Sequence, residues 1–135
     1  WYNSTTGTNK ALVQIKAWSS GGNMGTARYA LASATSGTQD AALGFGGAVD
    51  PSPAHMTATE EYSGINWSPG GSLSTARRRL AGAGTQTSAL AFGGAVSPGN
   101  TNSNATEEYG GSSWTAGGAL GTARFSLGGV GTQTA

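Results

Sequence analysis

The chain has 135 residues, with seven Lys and Arg against six Asp and Glu and a net charge of +1, so no global field draws it to nucleic acid or anionic lipid. It has no cysteine, which excludes a disulfide framework, an iron–sulfur cluster and a thiolate zinc site, and its 24 glycines follow no Gly-X-Y period, which excludes collagen. No apolar stretch is long enough for a membrane-spanning helix. Charged residues make up only 10%, so self-repulsion is too weak to keep the chain unfolded.

In chain order, residues 1–17 come first. Trp1 to Thr8, followed by Leu12-Val13-Gln14-Ile15, predicts a β-hairpin with a Thr-Gly turn. Beginning at Trp1, the chain reads as processed or as a piece of something longer. From Trp18 onward it repeats. Residues 58–88 align with 105–135 at an offset of 47, with 19 of 31 positions identical. An earlier copy supplies Trp18, Gly21-Gly22, Thr26-Ala27-Arg28, Leu31 and Gly37-Thr38-Gln39. Ala41 to Val49 returns as Ser88 to Val96 with seven of nine positions identical.

Each repeat reads as four short strands separated by turn signals. In the middle copy, residues 76–83 predict the first strand and Gly84-Thr85-Gln86 the turn. Residues 88–93 predict an apolar second strand closed by Gly93-Gly94, and Ser97 to Asn104 a polar loop. Residues 105–109 predict the third strand, and Gly110-Gly111 turns into a short fourth strand holding Trp114. Four strands in about 47 residues is the size of one propeller blade.

These residues resemble the kelch family, on Gly46-Gly47, Tyr62, Trp67 and Arg77, and again on Gly93-Gly94, Tyr109, Trp114 and Arg124. The resemblance covers residues 18–135 and implies an all-β fold of kelch-like β-propeller blades, each of four antiparallel strands. Residues 1–17 then count as a partial blade. The hairpin supplies about two strands, the two full units eight, and residues 124–135 one or two. About three blades result, fewer than the four to eight of closed propellers. The expectation is an incomplete propeller, continued in a longer chain or closed by identical copies.

Of the charged residues, Arg28, Arg77, Arg124, Glu60, Glu61, Glu107 and Glu108 fall on repeat positions. A residue that recurs in every blade faces the same packing problem in each, so an Arg at a blade's start is expected to pair with a Glu on a neighbouring strand. Neighbours on a strand point to opposite faces, which argues against Glu60-Glu61 as a paired-carboxylate glycosidase site. The recurring Trp and Tyr residues could stack on sugars, but their spacing suits blade packing, and the repeat Trp residues are expected to be mostly buried. The copper site of galactose oxidase, which has kelch-like blades, needs His, Tyr and Cys. The sialidase Ser-x-Asp-x-Gly-x-x-Trp turn needs an Asp that residues 62–67 and 109–114 lack. A lone His55 builds neither a metal site nor a triad. No enzyme, no cofactor and no metal site is therefore expected.

Residues that depart from the repeat are the candidates for binding, because loops on rigid scaffolds commonly carry recognition. They are Asp50 and His55 in the Asp50–Met56 loop, Asn100 and Asn102 in the Ser97–Asn104 loop, and the Arg78-Arg79 pair. Asp40 departs as well. The N-terminal Tyr-Asn-Ser-Thr-Thr-Gly resembles hairpins of bacteriophage tail and fibre proteins. That resemblance implies a non-enzymatic virion component, part of a tail, fibre or surface decoration. Its partners would be other virion proteins or identical copies, with host surface glycans as a further candidate. The alternative is a secreted or cell-surface bacterial kelch-like carbohydrate-binding protein.

Overall fold

A computed structural model describes residues 20–51 and 54–134, together with two short N-terminal strands. These are β1 (Tyr2–Asn3) and β2 (Thr8–Asn9), which pair antiparallel with Tyr2 opposite Asn9. The remainder of the expected hairpin, and Trp18, lie outside the described residues.

The described residues hold strands and turns and no helix. The first repeat unit contains β3 (Ala32–Ser33), β4 (Ala42–Phe45), β5 (Ala48–Val49), β6 (Ala54–His55), β7 (Thr59–Tyr62) and β8 (Trp67–Pro69). The second contains β9 (Arg77–Arg78), β10 (Ala81–Thr85), β11 (Ser88–Phe92), β12 (Ala95–Val96), β13 (Thr101–Asn102), β14 (Thr106–Tyr109) and β15 (Trp114–Ala116). Each unit forms a four-stranded antiparallel meander, β3-β4-β7-β8 and β10-β11-β14-β15. The register repeats at the 47-residue offset: Phe45 faces Thr59 as Phe92 faces Thr106, and Tyr62 faces Trp67 as Tyr109 faces Trp114.

Residue size explains why the two sheets stack. Side chains alternate between faces along a strand. The first sheet turns Leu43 and Phe45 of β4 and Thr59 of β7 towards the second, and all three are buried. The second sheet answers with Ala89, Ala91, Gly82 and the ring of Tyr109, so small side chains meet large ones. A Cβ at Gly82 would lie 2.6 Å from the Phe45 ring, so glycine sets the approach there. The Gly-Gly pairs have a second role. Gly46 and Gly47 have φ of 66° and 97°, and a Cβ on Gly46 would sit 2.7 Å from the Arg77 carbonyl of the next unit. Left-handed backbone and close approach both require glycine.

Three expectations need correction. The polar Ser97–Asn104 segment is not wholly loop, since β13 pairs with β12 and β12 with β9 in a small side sheet. The short pair β5–β6 is its counterpart in the first unit. Residues 124–134 supply no strand: they lie along the second unit, and a strand needs a ladder partner. Finally, Trp67 and Trp114 are half-buried rather than mostly buried. They sit on the last strands of their four-stranded sheets, β8 and β15. Trp114 still packs edge-on to Phe45, at 4.9 Å between ring centroids, and its Nε1 donates to Thr59 Oγ1 at 2.9 Å.

Candidate functional site

The charged residues divide by strand parity. Arg77 and Arg78 are adjacent on β9 and so point to opposite sides. Arg77 points inward and is fully buried. Its Nη2 meets Glu107 Oε1 at 2.6 Å, and its Nη1 donates to the Gly93 and Ala105 carbonyls at 2.9 and 2.8 Å. Glu107 also accepts from the Ser74 amide at 2.8 Å. The first unit repeats this arrangement. Arg28 contacts Glu60 at 2.7 Å and donates to the Gly46 and Ala58 carbonyls, while the Gly25 amide donates to Glu60 at 2.6 Å. Burial pulls both guanidinium groups below their ordinary value, and the paired carboxylates act against that pull. The Nε of each Arg is buried without a hydrogen-bond partner.

The next residue on the chain, Glu61, points to the other face and accepts a hydrogen bond from the Tyr109 hydroxyl of the second unit. Burial, and then this hydrogen bond, push the Tyr109 phenol up to about 12. Glu60 and Glu61 thus serve different faces and form no catalytic pair. Repeat-position charge is committed to structure at Arg28, Arg77, Glu60, Glu61 and Glu107. Arg124, at the same repeat position, is exposed, and among the described residues its side chain donates only to the Thr122 carbonyl, at 3.3 Å.

Arg78 points outward to the rim. Its Nε and Nη2 donate to Asn100 Oδ1 at 3.1 and 2.7 Å, a two-pronged contact that fixes the guanidinium plane. Its Nη1 donates to the Tyr29 hydroxyl at 3.1 Å. Asn100 adopts φ of 56°, a conformation asparagine tolerates, and this brings its amide to Arg78. His55, on β6 of the first unit, joins the same group. Burial and the Arg78 charge hold its imidazole below its ordinary value, with Asn100 acting the other way, and its Nδ1 is buried without a hydrogen-bond partner.

The structure therefore gathers three of the six predicted binding residues, His55, Arg78 and Asn100, and adds Tyr29. It does not gather the rest. Asp50 is exposed at the turn between β5 and β6. Asn102 lies on β13, its amide 3.5 Å from the Ala123 carbonyl. Arg79 lies over the Phe125 ring at 5.8 Å and has φ of 53°, and Ala30 and Ser126, at the same place in the other repeats, have φ of 52° and 53°. Tyr29 was missed, although the repeat contained a signal. The position after the conserved Arg holds Tyr29, Arg78 and Phe125, so it varies in every copy.

Chemically, the rim group presents a flat cation, an amide, a phenol and an imidazole across the junction of two units. These donors and acceptors suit hydroxyl- or carboxylate-bearing ligands. Among the described residues, no group of three or more His, Asp or Glu that could hold a metal occurs. No protein-family model matches the chain, and no curated protein matches it in sequence.

Proposed function

We propose that the chain is a non-enzymatic scaffold built of kelch-like propeller blades. It serves as a structural or adhesion component of a phage virion and presents the Tyr29–His55–Arg78–Asn100 rim to a host surface glycan or a neighbouring virion protein. One observation carries this reading. The repeat-position charges Arg28, Arg77, Glu60, Glu61 and Glu107 are taken up by packing between and within the sheets, whereas three of the six predicted binding residues gather on one exposed rim. A rigid framework with a variable edge is the usual arrangement of a recognition scaffold. The N-terminal Tyr-Asn-Ser-Thr-Thr-Gly segment and the Ser/Thr/Gly/Ala-rich repeats favour the virion setting over the secreted carbohydrate-binding alternative.

An antibody raised against the chain tests the setting. Labelling of intact phage particles in electron micrographs supports it, and labelling confined to the bacterial surface replaces it with the alternative. Glycan-array binding tests the rim. Binding that survives Arg78→Ala and Asn100→Ala unchanged would remove the rim from the proposal.

A further inference from the structure

The outer face of the second sheet is the same surface that the first sheet uses to bind the second. On the first sheet Leu43, Phe45, Thr59 and Glu61 share a face, and the second unit covers it. Phe45 receives the Trp114 ring, Thr59 Oγ1 the Trp114 indole proton and Glu61 the Tyr109 hydroxyl. On the second sheet the residues in register are Leu90, Phe92, Thr106 and Glu108. Leu43 and Phe45 are fully buried, but Leu90 and Phe92 are only half-buried.

Residues 124–134 have already taken the position of a following unit's first segment. The Gly94 amide donates to the Arg124 carbonyl at 2.9 Å, as the Gly47 amide does to Arg77 at 2.8 Å. The Ser126 amide donates to the Arg79 carbonyl as the Arg79 amide does to Ala30, both at 2.8 Å. The Gln133 side-chain amide bridges the Ala89 and Tyr109 carbonyls as that of Gln86 bridges Ala42 and Tyr62. Yet Arg124 is exposed where Arg77 is fully buried.

We infer that Leu90, Phe92, Thr106, Glu108 and Arg124 form a docking surface for the strands of one further repeat unit of this same skeleton. The occupant is specified by the interface already formed. It brings a Trp to Phe92 and Thr106, a Tyr hydroxyl to Glu108, and a Gly-Gly carbonyl, an Ala carbonyl and a Glu carboxylate to Arg124. Its second strand pairs with residues 128–132, supplying the ladder those residues lack. Recognition by strand addition combines main-chain hydrogen bonds with such side-chain pockets. This inference rests on the repeat interface and is independent of the virion reading.

The test supplies the unit in two ways. A peptide spanning residues 89–117 is titrated into the chain by calorimetry, and it should bind saturably. Arg124→Met on the chain, or Glu107→Gln on the peptide, should weaken binding about tenfold or more, as expected for loss of a charge-assisted contact. In the second arm, residues 89–117 are appended after Ala135, which continues the 47-residue register. Arg124→Met should then lower the urea midpoint as much as Arg77→Met does, while in the original chain it should leave the midpoint unchanged. If the peptide does not bind, if it binds equally well to Arg124→Met, or if Arg124→Met has no effect in the extended chain, the docking surface is refuted.

Discussion

Replacing Arg77 with Met removes a fully buried cation while keeping much of the apolar stem. Glu107, 2% exposed, would then keep its negative charge with the Ser74 amide as its remaining donor. The Gly93 and Ala105 carbonyls would each lose a guanidinium donor. Breaking a buried ion pair by removing one partner costs about 3–5 kcal/mol, mostly because an uncompensated charge stays buried. A typical domain has only about 5–15 kcal/mol of stability, so the variant should be strongly destabilised. With a urea slope of about 1–3 kcal/mol per molar, the midpoint should fall by about 2 M. Two further variants separate charge from packing. Arg124→Met, at the same repeat position but exposed, should change stability by no more than about 0.5 kcal/mol. Arg77→Met combined with Glu107→Leu should recover most of the loss, since apolar replacement of both partners is often neutral. A loss below about 1 kcal/mol for Arg77→Met, or a double variant no better than the sum of its singles, would refute the reasoning.

The Tyr109 phenol, raised from 10.0 to about 12, holds its proton more tightly in the folded chain than in the unfolded one. Its contribution is therefore complete below pH 10, declines between 10 and about 12 and is lost above. Tyr109→Phe should flatten that alkaline decline, and a Tyr109 phenolate appearing in the folded chain near pH 10 would contradict the assignment. Trp114→Ala should cost about 3 kcal/mol, the lower end for a large aromatic because the ring is half-buried, and Trp114→Phe about 1 kcal/mol for the hydrogen bond to Thr59; thermal or urea melts decide. Ala30→Gly should be neutral or stabilising by up to about 1 kcal/mol, since φ of 52° is strained for alanine and free for glycine. A loss of that size would show that the Ala30 methyl group has a packing role.

The two four-stranded sheets were legible because the repeat displays the same alternation twice. The opposite facing of Glu60 and Glu61 followed from strand parity alone. The side sheet was not legible: Ser97–Asn104 is polar, and β13 is held by backbone pairing with Ala95–Val96 that composition does not report. The depth of the Trp residues was misjudged because recurrence indicates a shared environment, not how far that environment is from the sheet edge. At the rim, His55, Arg78 and Asn100 were visible one by one, and Tyr29 was not. Their meeting was not visible either, because Tyr29 and Arg78 are 49 positions apart and join only when the units stack.

The interface hydrogen bonds have a consequence for how the gene can change. The Gln86 amide reads only two main-chain carbonyls of the preceding unit, and Gln133 reads their equivalents 47 residues on. Main-chain groups are present whatever the side chains, so this part of each junction forms with any unit that keeps the register, while contacts such as Phe45–Trp114 and Glu61–Tyr109 need the repeat residues as well. Loss or gain of 47 codons between matching positions in two units rebuilds an equivalent junction at the splice. An exchange between neighbouring units, which share 19 of 31 aligned residues, gives a product with a different combination of rim residues on an unchanged frame. Array length and rim identity can therefore shift together in a single recombination event, without passing through an unfolded intermediate sequence.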